Sequence, residues 1–341
     1  MRRFFVTGGA GFIGSAFVRL ILNEIPSCEV ANFDALTYAG NLDNLDGLDK
    51  SRHHFVKGDI ADREAVSAAL APETEAIINF AAESHVDRSI VSADEFIRTN
   101  VLGTQVLLDC ARAGGVQRFV QISTDEVMGS LAEDDQAFFT EDSHFRPNSP
   151  YAASKAAAEH LVRAAHHTFG LDTVITRCGN NYGPRQFPEK FLPLMLANAM
   201  RDEAIPLYGD GQNVRDWIFV DDHCRAILLA LTKGRPGVTY NVGARNERRN
   251  IDVARSVLDQ LEKPQSLIKF VKDRPGHDRR YAIDASLVES ELGWRPIETW
   301  ETGLRKTIEW YQSNPAWVER ARSGAYREFY AQQYGIEVGA H

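Results

Sequence analysis

Arg3-Phe4-Phe5-Val6-Thr7-Gly8-Gly9-Ala10-Gly11-Phe12-Ile13-Gly14 runs from an apolar β-type stretch through a glycine cluster into a helical pattern. The glycines fit two spacings at once, GxxGxxG (Gly8, Gly11, Gly14) and GxGxxG (Gly9, Gly11, Gly14). Between a strand and a helix, residues without side chains let the backbone turn tightly, approach a pyrophosphate and pack helix on strand. The N–H groups opening the helix then face the phosphates. Such a run alone also suits a plain strand-to-helix turn, so its surroundings decide. A second strand, Glu29 to Phe33, ends on Asp34, twenty residues beyond Gly14. A carboxylate there accepts hydrogen bonds from both ribose hydroxyls and repels a 2′-phosphate, which favours NAD over NADP. After a third strand, His54 to Val56, the pair Asp59-Ile60 suits an adenine contact, or Asp59 caps the next helix.

Outward from this start, strands alternate with helices. Ala76 to Phe80, Arg118 to Ile122 and Thr173 to Thr176 are β-type, with helical patterns over Phe12 to Asn23, Asn100 to Gly114 and Tyr151 to Phe169. This alternation predicts an α/β fold, a Rossmann-type doubly wound parallel sheet. After Arg177 the pattern breaks into loops rich in Asn, Gly and Pro with short helices, and Tyr240-Asn241-Val242 reads as an isolated strand. The expected division is a dinucleotide domain over 1–177 and about 213–245, with a smaller C-terminal substrate region over about 178–212 and 246–341.

The 341 residues carry 38 basic and 47 acidic side chains, a net charge of −9. That argues against nucleic acid or an anionic membrane as partner, because such surfaces are usually basic. Cys28, Cys110, Cys178 and Cys224 lie far apart and lack metal-ligand spacing, so no metal and a reducing compartment are expected. The first apolar run is too short for a signal-peptide core, and no stretch has the length of a membrane helix, so the expectation is cytoplasmic.

Tyr151-Ala152-Ala153-Ser154-Lys155 puts a phenol and an ammonium on one helical face. A free phenol titrates near ~10, too high for a base at neutral pH. A neighbouring ammonium and the positive nicotinamide of NAD both favour phenolate, drawing Tyr151 toward the working range. The same pair also suits the polar side of an amphipathic helix. Asp125-Glu126 likewise suits a helix N-terminus. Asp221-Asp222-His223 reads as a helix N-cap rather than a metal site. His160, His166 and His167 read as a partly exposed helix face. Arg215 and Arg279 are the candidate diphosphate ligands, since guanidinium forks match phosphate oxygens, although Arg274, Arg279 and Arg280 also suit a solvated surface.

The glycine turn, Asn79-Phe80-Ala81-Ala82, Asn100 and the Tyr151–Lys155 pair together resemble the extended short-chain dehydrogenase/reductase family. Within it, nearly the whole chain is similar to the dTDP-glucose 4,6-dehydratases. The stretches that carry this are Asp34 to Asn41, Ala82 to Ser89, Ser123-Thr124-Asp125-Glu126-Val127, Arg177 to Lys190, Val214 to Trp217 and Asp273 to Asp278. Sugar epimerases of the same fold generally lack the adjacent carboxyl pair. The resemblance implies that Tyr151 takes the 4-hydroxyl proton and Thr124 orients that oxygen. Glu126 removes the C5 proton and Asp125 protonates the leaving 6-hydroxyl. It implies NAD contacts at Gly8, Gly11, Phe12, Ile13, Gly14, Asp34, Leu36, Thr37, Asp59 and Ile60, and further at Phe80, Ala81, Ala82, Thr99, Tyr151, Lys155 and Asn181. It implies substrate contacts at Ser84, Thr124, Asn180, Lys190, Phe191, Pro206 and Tyr208, and at Asn250, Arg274, His277 and Tyr281 beside Arg215 and Arg279. The implied partners are a nucleotide-diphosphate sugar, dTDP-glucose first, and a second copy of the chain. Pairing would use the helices after Asn100 and Tyr151, where Val101, Val106, Leu107 and Leu161 suit either an interface or their own sheet. UDP- or CDP-linked substrates, a C4 epimerase and a catalytically silent NAD-sensing protein are the alternatives. One departure stands out: Met128 occupies a position where the family usually has Tyr.

Overall fold

The computed structural model describes residues 1–133 and 136–322. The apolar runs of the first half form β1 (Arg2–Thr7), β2 (Cys28–Asp34), β3 (His53–Lys57), β4 (Ala76–Asn79), β5 (Arg118–Thr124) and β6 (Asp172–Cys178). The later strands are β7 (Asn180–Tyr182), β8 (Ile205–Tyr208), β9 (Val214–Phe219), β10 (Thr239–Val242), β11 (Glu247–Arg249) and β12 (Ile268–Val271). Seven of them build one parallel sheet in the order β10-β6-β5-β4-β1-β2-β3. Alternate residues of each strand feed opposite layers, as a sheet covered on both faces requires. Phe4, Val6, Val30, Ile78 and Val120 pack with helices Phe12–Glu24 and Val220–Lys233. Phe5, Phe33, Ile77 and Phe119 pack with Thr104–Ala113 and Pro150–Phe169. The strand order reverses beside β1, which pairs β2 on one side and β4 on the other, and a crevice opens there at the carboxyl ends.

Tyr240–Val242 is not isolated. It lies within β10, which pairs β6 from Thr239↔Ile175 to Val242↔Cys178 and extends the parallel sheet. About 60 residues of other structure separate the two strands in sequence, which hides a pairing that depends on the helix Val220–Lys233 returning the chain. Within 213–245, that helix and β10 belong to the layers of the parallel sheet, whereas β9 pairs β7 and β11. Around β9 lies a second core rich in aromatics: Tyr182, Trp217, Phe219, Trp300, Tyr311 and Trp317 with Leu192, Leu196 and Val257.

Three local expectations change. The N-cap of Val220–Lys233 is Phe219, without a side-chain cap. Asp222 instead accepts the backbone N–H groups of Ile297 and Glu298 at 3.1 and 2.9 Å, tying two segments together. The cap after β3 is Asp62, which accepts from Ala65, while Asp59 accepts from Ala61 and pairs with Arg98. The helix expected from Asn100 starts as a π-helical turn over Ile97–Gly103 before Thr104–Ala113. Asn100 lies in that turn and is buried; its side chain accepts from Glu83 N and donates to Ser154 Oγ at 2.8 Å.

Candidate active site

One cavity of about 530 Å³ runs from the glycine turn across the carboxyl ends of the sheet into the second region. Every residue named above as a site residue lines it except Leu36 and Arg279. Leu36 contributes through its backbone, donating N–H to Asp34 Oδ1 at 2.8 Å with φ at 54°. Arg279 is turned away. Its guanidinium pairs with Glu133 and Asp210, where both partners are largely exposed. Arg215, by contrast, is 5% exposed and lies on the cavity wall, donating to the carbonyls of Val214 and Asp278 with its guanidinium over the Tyr281 ring.

The turn at one end fits a dinucleotide. Gly8 has φ at 68°, and a Cβ there would stand 2.6 Å from Ala81 N; one on Gly14 would stand 2.2 Å from Gly8 O. Only hydrogen fits at these points, so the turn closes tightly on itself and on the chain after β4, as a dinucleotide turn requires. The helix N-cap is Gly11, which offers no side chain to the first N–H groups. Asp34 is held by Leu36 N and by Ala10 N at 2.9 Å, a fixed carboxylate at the cavity wall.

At the other end, β5 delivers Thr124 and passes at once into a short 3₁₀ turn, Asp125–Met128. The helix Pro150–Phe169 presents Tyr151 and Lys155 to the same place, its start fixed by the Ser149 hydroxyl accepting from Ala152 N, with proline in the first turn. Lys155 Nζ donates to Ile122 O at 2.7 Å and thereby docks the helix on β5. Burial lowers the Lys155 ammonium to about 8. Asp125 is 1% exposed; burial and then the Glu126 charge hold its carboxyl well above the usual range. Glu126 is raised by burial too, but Arg274, Arg215 and Lys190 all pull it back toward ionisation. The two neighbours are therefore driven apart, Asp125 toward the acid form and Glu126 toward the base. Asp125 Oδ2 is buried and makes no hydrogen bond within the described residues. In the protein alone, burial and then the neighbouring Glu126 carboxylate push the Tyr151 phenol up, while a hydrogen bond with Thr124 opposes them.

Met128 is 2% exposed and does not line the cavity; it packs with Val127, Phe139, Ala156 and Tyr281. Its sulfur lies 3.8 Å from Arg177 Nη1, in a buried group where Arg177 also pairs with Glu159. Met128→Tyr is thus expected to leave kcat within about threefold, while overpacking costs roughly 1–3 kcal/mol of stability, read by urea unfolding.

Sequence reasoning passed over Glu83, His85, Asp87, Arg98 and Glu189, all of which line the cavity. Four lie in or beside the Ala82 to Ser89 stretch or directly before Lys190, so proximity to a named residue was the available signal for them. The Glu189 side chain is 1% exposed and burial pushes it up to about 7, with Lys190 and Arg88 opposing. A carboxyl raised on folding contributes stability below its unfolded value, and that contribution is lost as pH climbs through its folded value. Glu189→Gln is therefore expected to gain on the wild type between pH 5 and pH 8. Urea midpoints at the two pH values measure it, and an unchanged difference would contradict it.

Among the described residues no group of three or more His, Cys, Asp or Glu side chains could hold a metal, and no helix is long and apolar enough to cross a membrane. The family model described as GDP-mannose 4,6 dehydratase matches residues 5–307. A dTDP-glucose 4,6-dehydratase of Xanthomonas campestris is 51% identical, over 96% of this chain and 98% of its own. One from Shigella flexneri is 49% identical with the same coverage. The crystal structure of DesIV, the dTDP-glucose 4,6-dehydratase of Streptomyces venezuelae, was solved with NAD and dTDP bound. It superposes with a TM-score of 0.91 at 50% identity, covering 94% of this chain and 99% of that one. Sequence and fold are thus shared over nearly the full length with dTDP-glucose 4,6-dehydratases, and the chain belongs to the GDP-mannose 4,6 dehydratase family within the extended short-chain dehydrogenase/reductases.

Proposed function

We propose that the chain converts dTDP-glucose to dTDP-4-keto-6-deoxyglucose and water. The observation that carries this reading is the placement of Asp125 and Glu126, differently held carboxyl groups, beside Tyr151 in one cavity. The C5 proton of glucose is not acidic until C4 is a ketone. NAD, when bound, supplies a positive charge and a hydride acceptor for C4, and afterwards the hydride that replaces the lost hydroxyl at C6. The turn Gly8 to Gly14 with Phe12 and Ile13 would hold its pyrophosphate, Asp34 its ribose, and Asp59 with Ile60 its adenine.

Tyr151 Oη accepts the 4-hydroxyl proton, with Thr124 Oγ1 aligning that oxygen. Burial raises this phenol in the protein alone; Lys155, which also docks the helix on β5, would favour the phenolate together with the positive charge of NAD. Glu126 takes the C5 proton as a carboxylate and, after exchange with solvent, returns one to C5 once C6 has been reduced. Asp125 Oδ2, which lacks a partner in the protein, gives its proton to the 6-hydroxyl as it leaves as water. Arg215 and Arg274 meet the diphosphate, which answers how a chain of net charge −9 binds an anion. Arg279 has no part in this.

A second copy of the chain is the proposed partner. Val106 and Leu107 are buried in their own layer, so they do not serve an interface. Ile97 and Leu102 are exposed at 52% and 51% on the turn that opens the Thr104–Ala113 helix, with Val91 at 82% nearby. These offer the apolar face that a like copy would cover. The four cysteines are free and buried, consistent with a reducing cytoplasm. The test of substrate is mass spectrometry after incubation with dTDP-, UDP- and CDP-glucose separately. Loss of one water from the dTDP sugar alone is expected; a product of unchanged mass would make the chain an epimerase.

A further inference from the structure

The glycine turn is gripped from behind by a hydrogen-bond chain that begins in the second region. Trp317 Nε1 donates to Asn44 Oδ1 at 3.0 Å, and Asn44 Nδ2 donates to Ala10 O at 2.9 Å. Ala10 O also accepts from Asn41 N at 3.0 Å, and Ala10 N donates to Asp34 Oδ2. The Asn44 carbonyl accepts from Arg19 Nη2 at 2.6 Å, on the helix that leaves the turn. Asn44 is 1% exposed, Ala10 0% and Trp317 5%, so water does not supply substitutes. An indole N–H only donates and a carbonyl only accepts, so the bridging side chain must accept at one end and donate at the other. An amide does both; a carboxylate or an alkyl group does not. Beside this link Arg320 pairs with Asp43 at 2.6 Å, but that arginine is 60% exposed and the pair contributes little.

None of Ala10, Asn44 and Trp317 lines the cavity. They act on what does: Ala10 lies between Gly9 and Gly11, and its N–H and carbonyl fix the turn against Asp34 and against the 3₁₀ turn Leu42–Leu45. We propose that Asn44 and Trp317 are positioning residues for the dinucleotide turn, through which the helix Pro315–Ala321 tightens the hold on NAD without touching it. This rests on the reading that Gly8 to Gly14 holds NAD. The gain comes from preorganisation, since a turn already fixed loses less freedom when it closes on a pyrophosphate.

Trp317→Phe keeps a six-membered ring among Trp310, Tyr311 and Val318 and removes the donor with its five-membered ring, leaving Asn44 Oδ1 buried without one. The test is calorimetric titration of NAD into the full chain, freed of nucleotide, for wild type, Trp317→Phe, Asn44→Ala and the double variant. Trp317→Phe is expected to raise the NAD dissociation constant roughly five- to tenfold. In the Asn44→Ala background it should add less than twofold, and kcat at saturating NAD should stay within twofold. A purely structural role would lower the melting temperature of the nucleotide-free chain and leave the constant unmoved. That result, or effects of the two substitutions that simply add, overturns the inference. A wild type that binds no NAD overturns the reading of the turn itself, and this inference with it.

Discussion

Glu126→Gln is expected to lower kcat by about 10²- to 10⁴-fold, the range that a positioned general base contributes, while C4 oxidation continues. The two steps use different groups. Oxidation needs Tyr151 and Thr124, which the substitution leaves in place, whereas removal of the C5 proton needs a carboxylate that an amide cannot replace. The structure explains why Glu126 carries that role rather than Asp125. Three cations, Arg274, Arg215 and Lys190, favour its ionised form, whereas burial and the Glu126 charge hold the Asp125 carboxyl up against Arg215 and a hydrogen bond from Thr124. In a single turnover the variant should accumulate the absorbance of reduced nicotinamide, because the hydride has no C6 acceptor. Turnover at the wild-type rate would remove Glu126 from the mechanism.

Tyr151→Phe is expected to cost a similar factor, about 10²- to 10⁴-fold, but to stop the reaction one step earlier. No nicotinamide absorbance should appear, and no proton at C5 should exchange with solvent. The phenyl ring remains seated, edge-on to Phe96 at 6.3 Å, and the backbone N–H still donates to Ser89 Oγ at 3.2 Å, so the fold is not the cause. The KM for substrate should change little, since the lost hydroxyl serves proton transfer more than binding. Stopped-flow absorbance distinguishes the two variants: a signal for Glu126→Gln and none for Tyr151→Phe. The same trace from both would show that oxidation does not depend on this phenol.

The sheet was legible because its strands are short apolar runs separated by helical patterns, from Phe4-Phe5-Val6 to Val174-Ile175. β10 was not, because its partner β6 is remote in sequence and a helix must return the chain before the pairing exists. The carboxyl pair and the Tyr–Lys pair were legible because they are local: one turn and one helical face. Their chemistry was less so. That Lys155 donates one N–H to the Ile122 carbonyl, and that burial raises Tyr151, depends on what packs around them. Arg279 shows the same limit from the other side. A guanidinium near an Arg–Pro–Gly loop suits a phosphate, but Glu133 and Asp210 claim it on the outer face. Asn44 and Trp317 carry no motif at all, since their meaning lies in a contact across 273 positions.

The opening glycine turn and the carboxyl pair make one claim together: this chain oxidises, dehydrates and reduces within one turnover. Incubation with dTDP-glucose in deuterium oxide, followed by mass spectrometry and NMR of the sugar, tests that claim directly. The account predicts loss of one water, one deuteron at C5, none carried to C6 by the returning hydride, and no net reduced cofactor. A dehydrated product without deuterium at C5, or one formed with stoichiometric reduced nicotinamide, would contradict it.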